Sequence, residues 1–222
     1  MEDFKDTAIL AIKTTDDMLA ILKRKGKAAS YFKKGRQIYA WNKMERTYSY
    51  FLSELPGKNF DPDFRPAVTP AEMLASGVFE GKYFNDCLLE FPAAWFKAAI
   101  RAGKLCPGAP DMTVNRFAIA SRQPLSVWRQ NGWLPGDRRV PSAQHPELSD
   151  SSVNPDERGW AQWYFRYWMG RRIPELDRIQ IARWRAFNRH AGQIRANCAP
   201  KDLECRPRQR QGLLQWAYNP YI

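Results

Sequence analysis

The stretch RGWAQWYFRYWMGRR, residues 158–172, constrains the fold more than any other part of the chain. It places four arginines and six aromatic rings in fifteen positions. At about 100° per residue, five of these rings fall on one arc of about 140°, with the spacing of a core-facing helix. Phe165 and Met169 lie on the opposite side, so the helix is apolar nearly all round. A helix of this kind must be buried, and we predict that it lies at the centre of the protein.

Burying this helix also buries some of its arginines. A buried guanidinium group needs a carboxylate, or another hydrogen-bonding group, as its partner. Residues 151–222 hold thirteen Lys and Arg residues against six Asp and Glu residues. Local counter-charges are therefore too few, and we expect some of these arginines to face solvent or the phosphate groups of a ligand.

The overall composition indicates a folded protein. The 222-residue chain is 44% hydrophobic, which is enough for a sizeable core. Its first twenty residues begin with acids rather than the basic region of a signal peptide, and no apolar run approaches the roughly 18 residues of a membrane span. We therefore expect a soluble, intracellular, cytoplasmic protein that does not contact a membrane. The four cysteines form no C-x-x-C pair, and we expect buried free thiols.

Helix-start signals recur along the chain. Thr69 to Glu72 form a predicted capping box with proline at the first helical position, and Thr15 is the predicted cap of an earlier helix. Prolines at positions 92, 124, 174 and 207 open further predicted helices, and the one from Pro174 is expected to run to about Asn197. Residues 28–55 fit either a helix or a hairpin, because their hydrophobic period does not separate the two.

These signals predict a mainly α-helical fold in a single compact domain, with two lobes divided near residue 150 as the alternative. Two proline-rich segments, 55–70 and 134–155, are predicted to be irregular, and the second is long enough to indicate a mobile or functional segment or a hinge. The predicted regions are a basic, lysine-rich helical region over 1–55, a central helical region over 66–133, and an arginine- and tryptophan-rich helical region over 156–222.

The net charge of +12 is concentrated at the two ends of the chain. Residues 1–50 carry eleven Lys and Arg against six Asp and Glu, residues 151–222 carry thirteen against six, and the middle is balanced. Twelve of the thirteen C-terminal positive charges are arginines, whose planar fork suits bidentate phosphate contacts and stacking on aromatic rings. A clustered basic excess is typical of nucleic-acid binding, and we predict DNA, ahead of RNA, as the partner.

The candidate nucleic-acid contacts lie on the predicted C-terminal helices. All are side chains that can contact phosphates or base edges. They are Arg158, Gln162, Arg166, Arg171, Arg172, Arg178, Gln180, Arg183, Arg185, Arg189, His190, Arg206, Arg208 and Arg210. The alternative for those on an outer helix face is plain solvation. Gln180, Arg183 and His190 fall on or beside the apolar face of their predicted helix, and for them the alternative is hydrogen bonding within the core. That apolar face is formed by Leu176, Ile179, Trp184, Phe187, Ala191 and Ile194.

Three motifs resemble an uncharacterised family of phage, bacterial, algal and plant sequences. They are RGWxQWYxRYxxGRR from residue 158, QIxRWxxFxRH from residue 180 and CRPRQRQxLLQWAY from residue 205. Together with GVFEGKYFNDCLLEFP at 77–92, the resemblance covers about residues 66–218. It implies a discrete domain and transfers no catalytic residue. A distribution across phages and their hosts would suit nucleic-acid processing or defence.

The candidate catalytic residues are Glu80, Asp86 and Glu90, which form the best acid cluster in the sequence. If residues 84–90 are helical, Asp86 and Glu90 lie one turn apart and repel each other unless a cation, an arginine or a shared proton offsets their charges. During removal of a DNA base, one such carboxylate can activate water or stabilise an oxocarbenium-like sugar. The alternative is an exposed acid pair in salt bridges with the basic C-terminal region.

Other chemistries find no support in the sequence. Two histidines exclude a His-rich metal site, and P-loop, G-x-G-x-x-G and G-x-S-x-G motifs are absent, so we predict neither metal nor cofactor. The leading hypothesis is a DNA-acting protein, which as an enzyme would excise or modify a base held by aromatic and polar residues of 160–190. The alternatives are a non-catalytic DNA- or RNA-binding protein and a protein-interaction module with a basic face.

Overall fold

The computed structural model describes residues 5–130, 148, 150 and 152–222, so His145 and most of the segment 134–155 lie outside the described residues. The described chain is mainly helical, as predicted. Its α-helices are α1 (Thr15–Lys25), α2 (Pro70–Ser76), α3 (Ala93–Arg101), α4 (Leu125–Gln130), α5 (Trp160–Trp168), α6 (Pro174–Phe187), α7 (Arg189–Asn197) and α8 (Pro207–Gln215). The 3₁₀ turns are Thr7–Ala11, Ala29–Tyr31, Phe79–Gly81 and Met112–Val114.

A two-stranded antiparallel hairpin resolves the ambiguity over residues 28–55. Its strands are β1 (Gln37–Tyr39) and β2 (Ser49–Phe51), with Ile38 paired opposite Tyr50. Both of these side chains are buried, so the inner face of the hairpin packs on the core. In the described part of the chain, every helix is too short or too polar to cross a lipid bilayer.

The capping signals predicted the N-cap residue of α2 correctly and placed that of α1 one residue too late. The Thr69 hydroxyl accepts a hydrogen bond from the Glu72 amide, and the Glu72 carboxylate accepts one from the Thr69 amide, which confirms the capping box. Helix α1 is capped by Thr14 and not by Thr15. The reason is that Asp17, three residues after Thr14, returns its carboxylate to the Thr14 amide and completes a second box.

The helix predicted from Pro174 to Asn197 is two helices, α6 and α7, which meet at Asn188. The Asn188 amide donates to the carbonyl of Arg185, three residues back, instead of to the residue four back. This tighter turn interrupts the α-helical ladder between the two segments. The predicted apolar face survives the break, since Ile179 and Trp184 before it and Ile194 after it are all buried.

Helix α5 lies at the centre of the fold, as its all-round apolar character predicts. Its residues from Trp160 to Tyr167 are all buried, and it contacts both α2 and α6. Phe64, from the irregular segment before α2, packs edge-on against aromatic rings of α5 and α6. Those rings belong to Trp163, Tyr164, Tyr167 and Trp184, with centroids 4.9 to 5.7 Å from that of Phe64.

The centre of the fold also holds a group of buried charges, which we call the arginine–carboxylate core: Glu45, Glu90, Asp156, Arg166 and Arg171. Arg166 Nε donates to Glu90 Oε1 at 2.6 Å, and Arg166 Nη1 donates to Glu45 Oε1 at 2.9 Å and Asp156 Oδ1 at 2.8 Å. Arg171 donates to both oxygens of Asp156, at 2.7 and 2.6 Å. Each of the five residues is at most 6% exposed, so these pairs are shielded from solvent.

The expectation that the buried arginines would find too few carboxylate partners is therefore wrong. That expectation counted acids within residues 151–222, whereas Glu45 comes from the connection between β1 and β2, and Glu90 from the turn before α3. Burial raises the pKa of Glu90 even though Arg166 opposes the shift. Burial also acts to raise the pKa of Asp156, but Arg171 and Arg166 together outweigh it, and the pKa is lowered. The Asp156 carboxylate is therefore held ionised between two arginines.

Cys198 and Cys205 form a disulfide, contrary to the expectation of free thiols, whereas Cys87 and Cys106 are free. The connection between α7 and α8 brings the two Cα atoms to 5.8 Å, within bridging range. The two cysteines lie seven residues apart in the sequence, and this spacing alone does not predict that their side chains meet. Only the path of this connection places the two thiols together.

We expect Arg166→Met to lower the free energy of unfolding by about 3–5 kcal/mol, because removing one partner leaves buried carboxylates uncompensated. Urea unfolding followed by tryptophan fluorescence measures the change. Arg185→Met is the control, since Arg185 pairs with Asp63 on the surface with 62% of its side chain exposed, and its effect should stay within about 0.5 kcal/mol. Equal effects of the two variants would contradict the importance of the core.

We expect the double variant Cys198→Ser with Cys205→Ser to lose about 2.5 kcal/mol of unfolding free energy, the entropy of closing a short loop in the unfolded chain. Denaturant unfolding with and without a reductant measures it. The reductant should lower the stability of the parent protein by the same amount and leave the double variant unchanged. A parent protein insensitive to reductant would show that the bridge does not contribute.

Candidate functional site

The acids Asp86 and Glu90 are buried and paired with different arginines. Residues 84–90 form successive turns instead of the helix considered above, with the Cys87 amide donating to Phe84 and the Glu90 amide to Cys87. Asp86 accepts from Arg158 Nη2 at 2.8 and 3.0 Å, while Glu90 belongs to the arginine–carboxylate core. The two carboxylates therefore do not form the exposed, mutually repelling pair that a helix would have produced.

The third predicted catalytic acid, Glu80, holds a neighbouring segment in place. Its Oε1 accepts hydrogen bonds from the amides of Ser121 and Arg122, at 3.0 and 3.3 Å. Its own amide donates to Asn115 Oδ1 at 2.8 Å, and Asn115 Nδ2 donates in turn to Ser121 Oγ at 2.9 Å. Glu80 and Asn115 thus fix the position of residues 121–122.

Six of the predicted nucleic-acid contacts are buried. Arg158 and Gln180 line a cavity, and the other four are hydrogen-bonded within the protein: Gln162, Arg166, Arg171 and Arg210. Gln162 bridges the Arg158 amide and the Glu45 carboxylate. Arg210 donates to backbone carbonyl groups, among them those of residues 202, 205 and 220. All four are at most 2% exposed, so in this conformation they cannot contact a ligand and they stabilise the fold instead.

The remaining predicted contacts divide between surface and cavity. Those that are exposed are Arg178, Arg185, Arg189 and Arg208, and those that are half-buried outside the cavity are Arg172, His190 and Arg206. Arg172, Arg178 and Arg185 border a recess of about 560 Å³ that three aspartates also line, so its charges are mixed. Burial and the nearby Arg189 lower the pKa of His190. Arg158, Gln180 and Arg183 line the cavity described next.

A cavity of about 390 Å³ lies between the start of α5, the middle of α6, the end of α8 and the segments 79–83 and 121–128. Much of its wall is aromatic, and the rings are Phe79, Tyr83, Trp128, Trp160 and Trp216. Trp160 and Trp216 stack at 4.6 Å with their planes 21° apart. Phe79 and Tyr83 form a second stacked pair at 4.7 Å. We call this space the aromatic–arginine cavity, after its rings and the arginines Arg122, Arg158 and Arg183.

The three cavity arginines differ in how their charge is compensated. Burial acts to lower the pKa of Arg158, but Cys87 and Asp86 outweigh it and the pKa is raised, as for an arginine in a buried ion pair. Arg122 lies 3.8 Å from a Glu80 oxygen. Arg183 has no carboxylate within ion-pair distance among the described residues, and burial lowers its pKa. Its Nη1 donates to Gln180 Oε1 at 2.7 Å, and its guanidinium lies 5.7 Å from the Trp216 ring centre.

The backbone beside the cavity adopts an uncommon conformation. Phe79 and Glu80 both have positive φ angles, 52° and 55°, in the left-handed region that non-glycine residues rarely occupy. Residues with such φ angles are found where contacts with the surrounding structure hold them in this conformation, and they cluster at functional sites. Here the Asn115 hydrogen bond to Glu80 and the stacking of Phe79 on Tyr83 hold both residues in place.

Sequence reasoning found part of this cavity and missed the rest. Gln180 and Arg183 stood out as polar residues beside an apolar helix face. Arg122, Ser121 and the pair Gln215–Trp216 were missed, because they come from segments distant in sequence. The only available signal was a polar Gln215 set among apolar residues at the end of CRPRQRQGLLQWAY. Within the described ranges, no group of three or more His, Cys, Asp or Glu side chains has a metal-binding arrangement.

Comparisons with protein-family models, with curated proteins and with solved structures find no significant match to this chain. They assign no family, and the resemblance noted above gains no support from them. Function is therefore inferred from the geometry of the cavity.

We expect Glu80→Ala to raise the hydrogen-exchange rates of the Ser121 and Arg122 amides by about tenfold or more, because both lose their acceptor. Glu80→Gln keeps an oxygen at the same position and should leave both rates within a few-fold of the parent values. Exchange measured by NMR or mass spectrometry distinguishes the two. Unchanged rates in Glu80→Ala would show that Glu80 does not hold the cavity rim, which would favour another role for its carboxylate.

Proposed function

We propose that this protein binds nucleic acid and receives a single unstacked base in the aromatic–arginine cavity. The observation that carries the proposal is Arg183, a half-buried arginine in an aromatic cavity, without a carboxylate partner among the described residues. Arg158 and Arg166 nearby each have carboxylate partners. Arg183 differs from these two, and also from Arg210, whose guanidinium is fully buried but donates to several backbone carbonyl groups.

The charge of Arg183 indicates what its ligand must offer. Removing a guanidinium from water without a counter-charge is unfavourable, and the lowered pKa of Arg183 has this cause. An anionic ligand would supply the missing charge. Arginine binds phosphate well, because its planar N–H groups match two phosphate oxygens at once. Arg122, on the same cavity, would add a second positive charge to the phosphate.

The aromatic wall indicates the rest of the ligand. Base stacking on aromatic side chains contributes about 1–3 kcal/mol per base in single-stranded nucleic-acid binding. The cavity volume of about 390 Å³ lies within the usual range of small-ligand sites. Rings and uncompensated arginine together thus favour a ligand that is both flat and anionic. A nucleotide of a nucleic-acid strand has both properties, and the basic charge of the chain favours a polymeric partner.

The predicted base excision or base modification stays a prediction. Base excision needs a carboxylate that reaches the sugar or an attacking water. The described residues that line the cavity include no Asp or Glu, and Asp86 lies behind Arg158 in an ion pair. The proposal is accordingly a binding function. The alternative of a basic protein-interaction surface would not use the aromatic wall.

We expect Arg183→Gln to weaken binding of a fluorescent single-stranded DNA 20-mer by more than about tenfold, because a charge-assisted contact is lost. Fluorescence anisotropy over a salt series measures this, and log affinity of the parent protein should fall steeply with log salt. Arg185→Gln removes the same charge from the same helix outside the cavity, and should change the affinity no more than about twofold.

The unfolding free energy of Arg183→Gln should stay within about 1 kcal/mol of the parent value, since Arg183 forms no buried ion pair with the described residues. This check separates loss of the site from loss of the fold. Absence of binding at low salt would overturn the nucleic-acid proposal. Equal loss of affinity in Arg183→Gln and Arg185→Gln would move the binding surface away from the cavity.

A further inference from the structure

The cavity presents hydrogen-bond donors whose direction is set by the protein. Gln180 is fully buried, and its Oε1 is occupied by Arg183 Nη1. This contact fixes which end of the amide is oxygen, because an arginine can only donate. The amide nitrogen Nε2 has no hydrogen-bond partner among the described residues. A buried donor without a partner is uncommon, so it calls for an acceptor that a ligand can bring.

A second amide on the cavity is oriented in the same way. Gln215 Oε1 accepts from Gln211 Nε2 at 3.1 Å. Gln211 is fixed in turn, since its Oε1 accepts from the Phe117 amide and its Nε2 also donates to the carbonyl of Gly77. The chain of contacts leaves the whole NH₂ group of Gln215 for another partner, whereas its oxygen already accepts one hydrogen bond.

Two further polar side chains of the wall, Ser121 and Asn154, are also oriented by the protein. Ser121 Oγ already accepts from Asn115, so its hydroxyl hydrogen remains to be donated. Asn154 uses both ends of its amide within the protein, on the carbonyl of Leu148 and the amide of Asp156. Arg183 and Arg122 can only donate. Lining side chains whose orientation the protein fixes therefore offer donors that still lack a partner, whereas each of their oxygens already accepts one hydrogen bond.

We propose that the aromatic–arginine cavity selects a base with carbonyl oxygens, such as uracil, thymine or guanine, over a base with an amino group at the same position. This inference depends on the proposed nucleic-acid function. A carbonyl oxygen would accept from Gln180 or Gln215. An amino group would instead face these donors and leave them unpaired inside the cavity. Protein groups that hydrogen-bond a base edge discriminate against the wrong base by roughly 5- to 150-fold.

The test uses DNA strands in which one base is flanked on both sides by abasic spacers, so that only that base can enter the cavity. Two matched pairs replace a carbonyl group by an amino group on the same ring: uracil against cytosine, and hypoxanthine against adenine. A fully abasic strand measures the phosphate contribution alone. We expect each carbonyl base to bind about tenfold more tightly than its amino counterpart.

The variants Gln180→Glu and Gln215→Glu remove the free NH₂ group and keep an oxygen for Arg183 or Gln211. Each adds a negative charge, which weakens all strands alike, so the readout is the ratio of carbonyl to amino affinity within one variant. This ratio should fall toward one. Gln209→Glu is the matched control, since it adds the same charge to α8 from a residue outside the cavity lining and should keep the parent ratio.

The outcomes separate the two proposals. If no strand binds, or if the fully abasic strand binds as well as every base, no base enters the cavity, and the proposed function fails together with the inference. If bases add affinity but carbonyl and amino bases bind equally to the parent protein, only the inference fails. An unchanged ratio in both cavity variants would also overturn it. Should Gln180→Glu not fold, the parent ratio and Gln215→Glu decide the question.

Discussion

The ion pairs of Arg166 are the interaction on which the rest of the structure depends. This one guanidinium joins the hairpin connection through Glu45, the turn before α3 through Glu90 and the approach to α5 through Asp156. All four groups are buried, so their attraction offsets a large desolvation penalty only while every partner stays in place. Gln162 and Tyr48 add one hydrogen bond each, to Glu45 and Arg171 respectively. The core thus fixes where segments distant in sequence must meet.

Arginine takes three different roles within this fold, and its partners decide which. Arg158, Arg166 and Arg171 are neutralised by carboxylates inside the protein. Arg210 is fully buried and donates only to backbone carbonyl groups, which ties α8 to the chain on either side of it. Among the described residues, Arg183 has a single amide oxygen as its hydrogen-bond partner, and it lines an aromatic cavity. The first two roles stabilise the fold, whereas the third leaves charge for a ligand.

The cavity lies beside the arginine–carboxylate core, and Gln162 links Arg158 on the cavity to Glu45 in the core. Arg158 lines the cavity while its guanidinium is anchored to Asp86 and to the carbonyl of Tyr83. The Tyr83 hydroxyl donates back to the Arg158 carbonyl, so the aromatic wall and the start of α5 hold each other. The stable core therefore gives the cavity a rigid side. A ligand that stacks on such a wall needs little rearrangement of the protein.

The sequence by itself determined the helical class, the capping box at Thr69 and the central position of α5, because these follow from local hydrogen bonding and from the period of apolar residues. It also identified Gln180 and Arg183 as polar residues out of place on an apolar face. Only the tertiary structure decided which arginines are neutralised, since Glu45 and Glu90 reach Arg166 across more than seventy residues of chain. The same holds for the disulfide and for the joining of Arg122 and Gln215 to one cavity. Charge compensation depends on distance in space, and a local sequence pattern does not encode that distance.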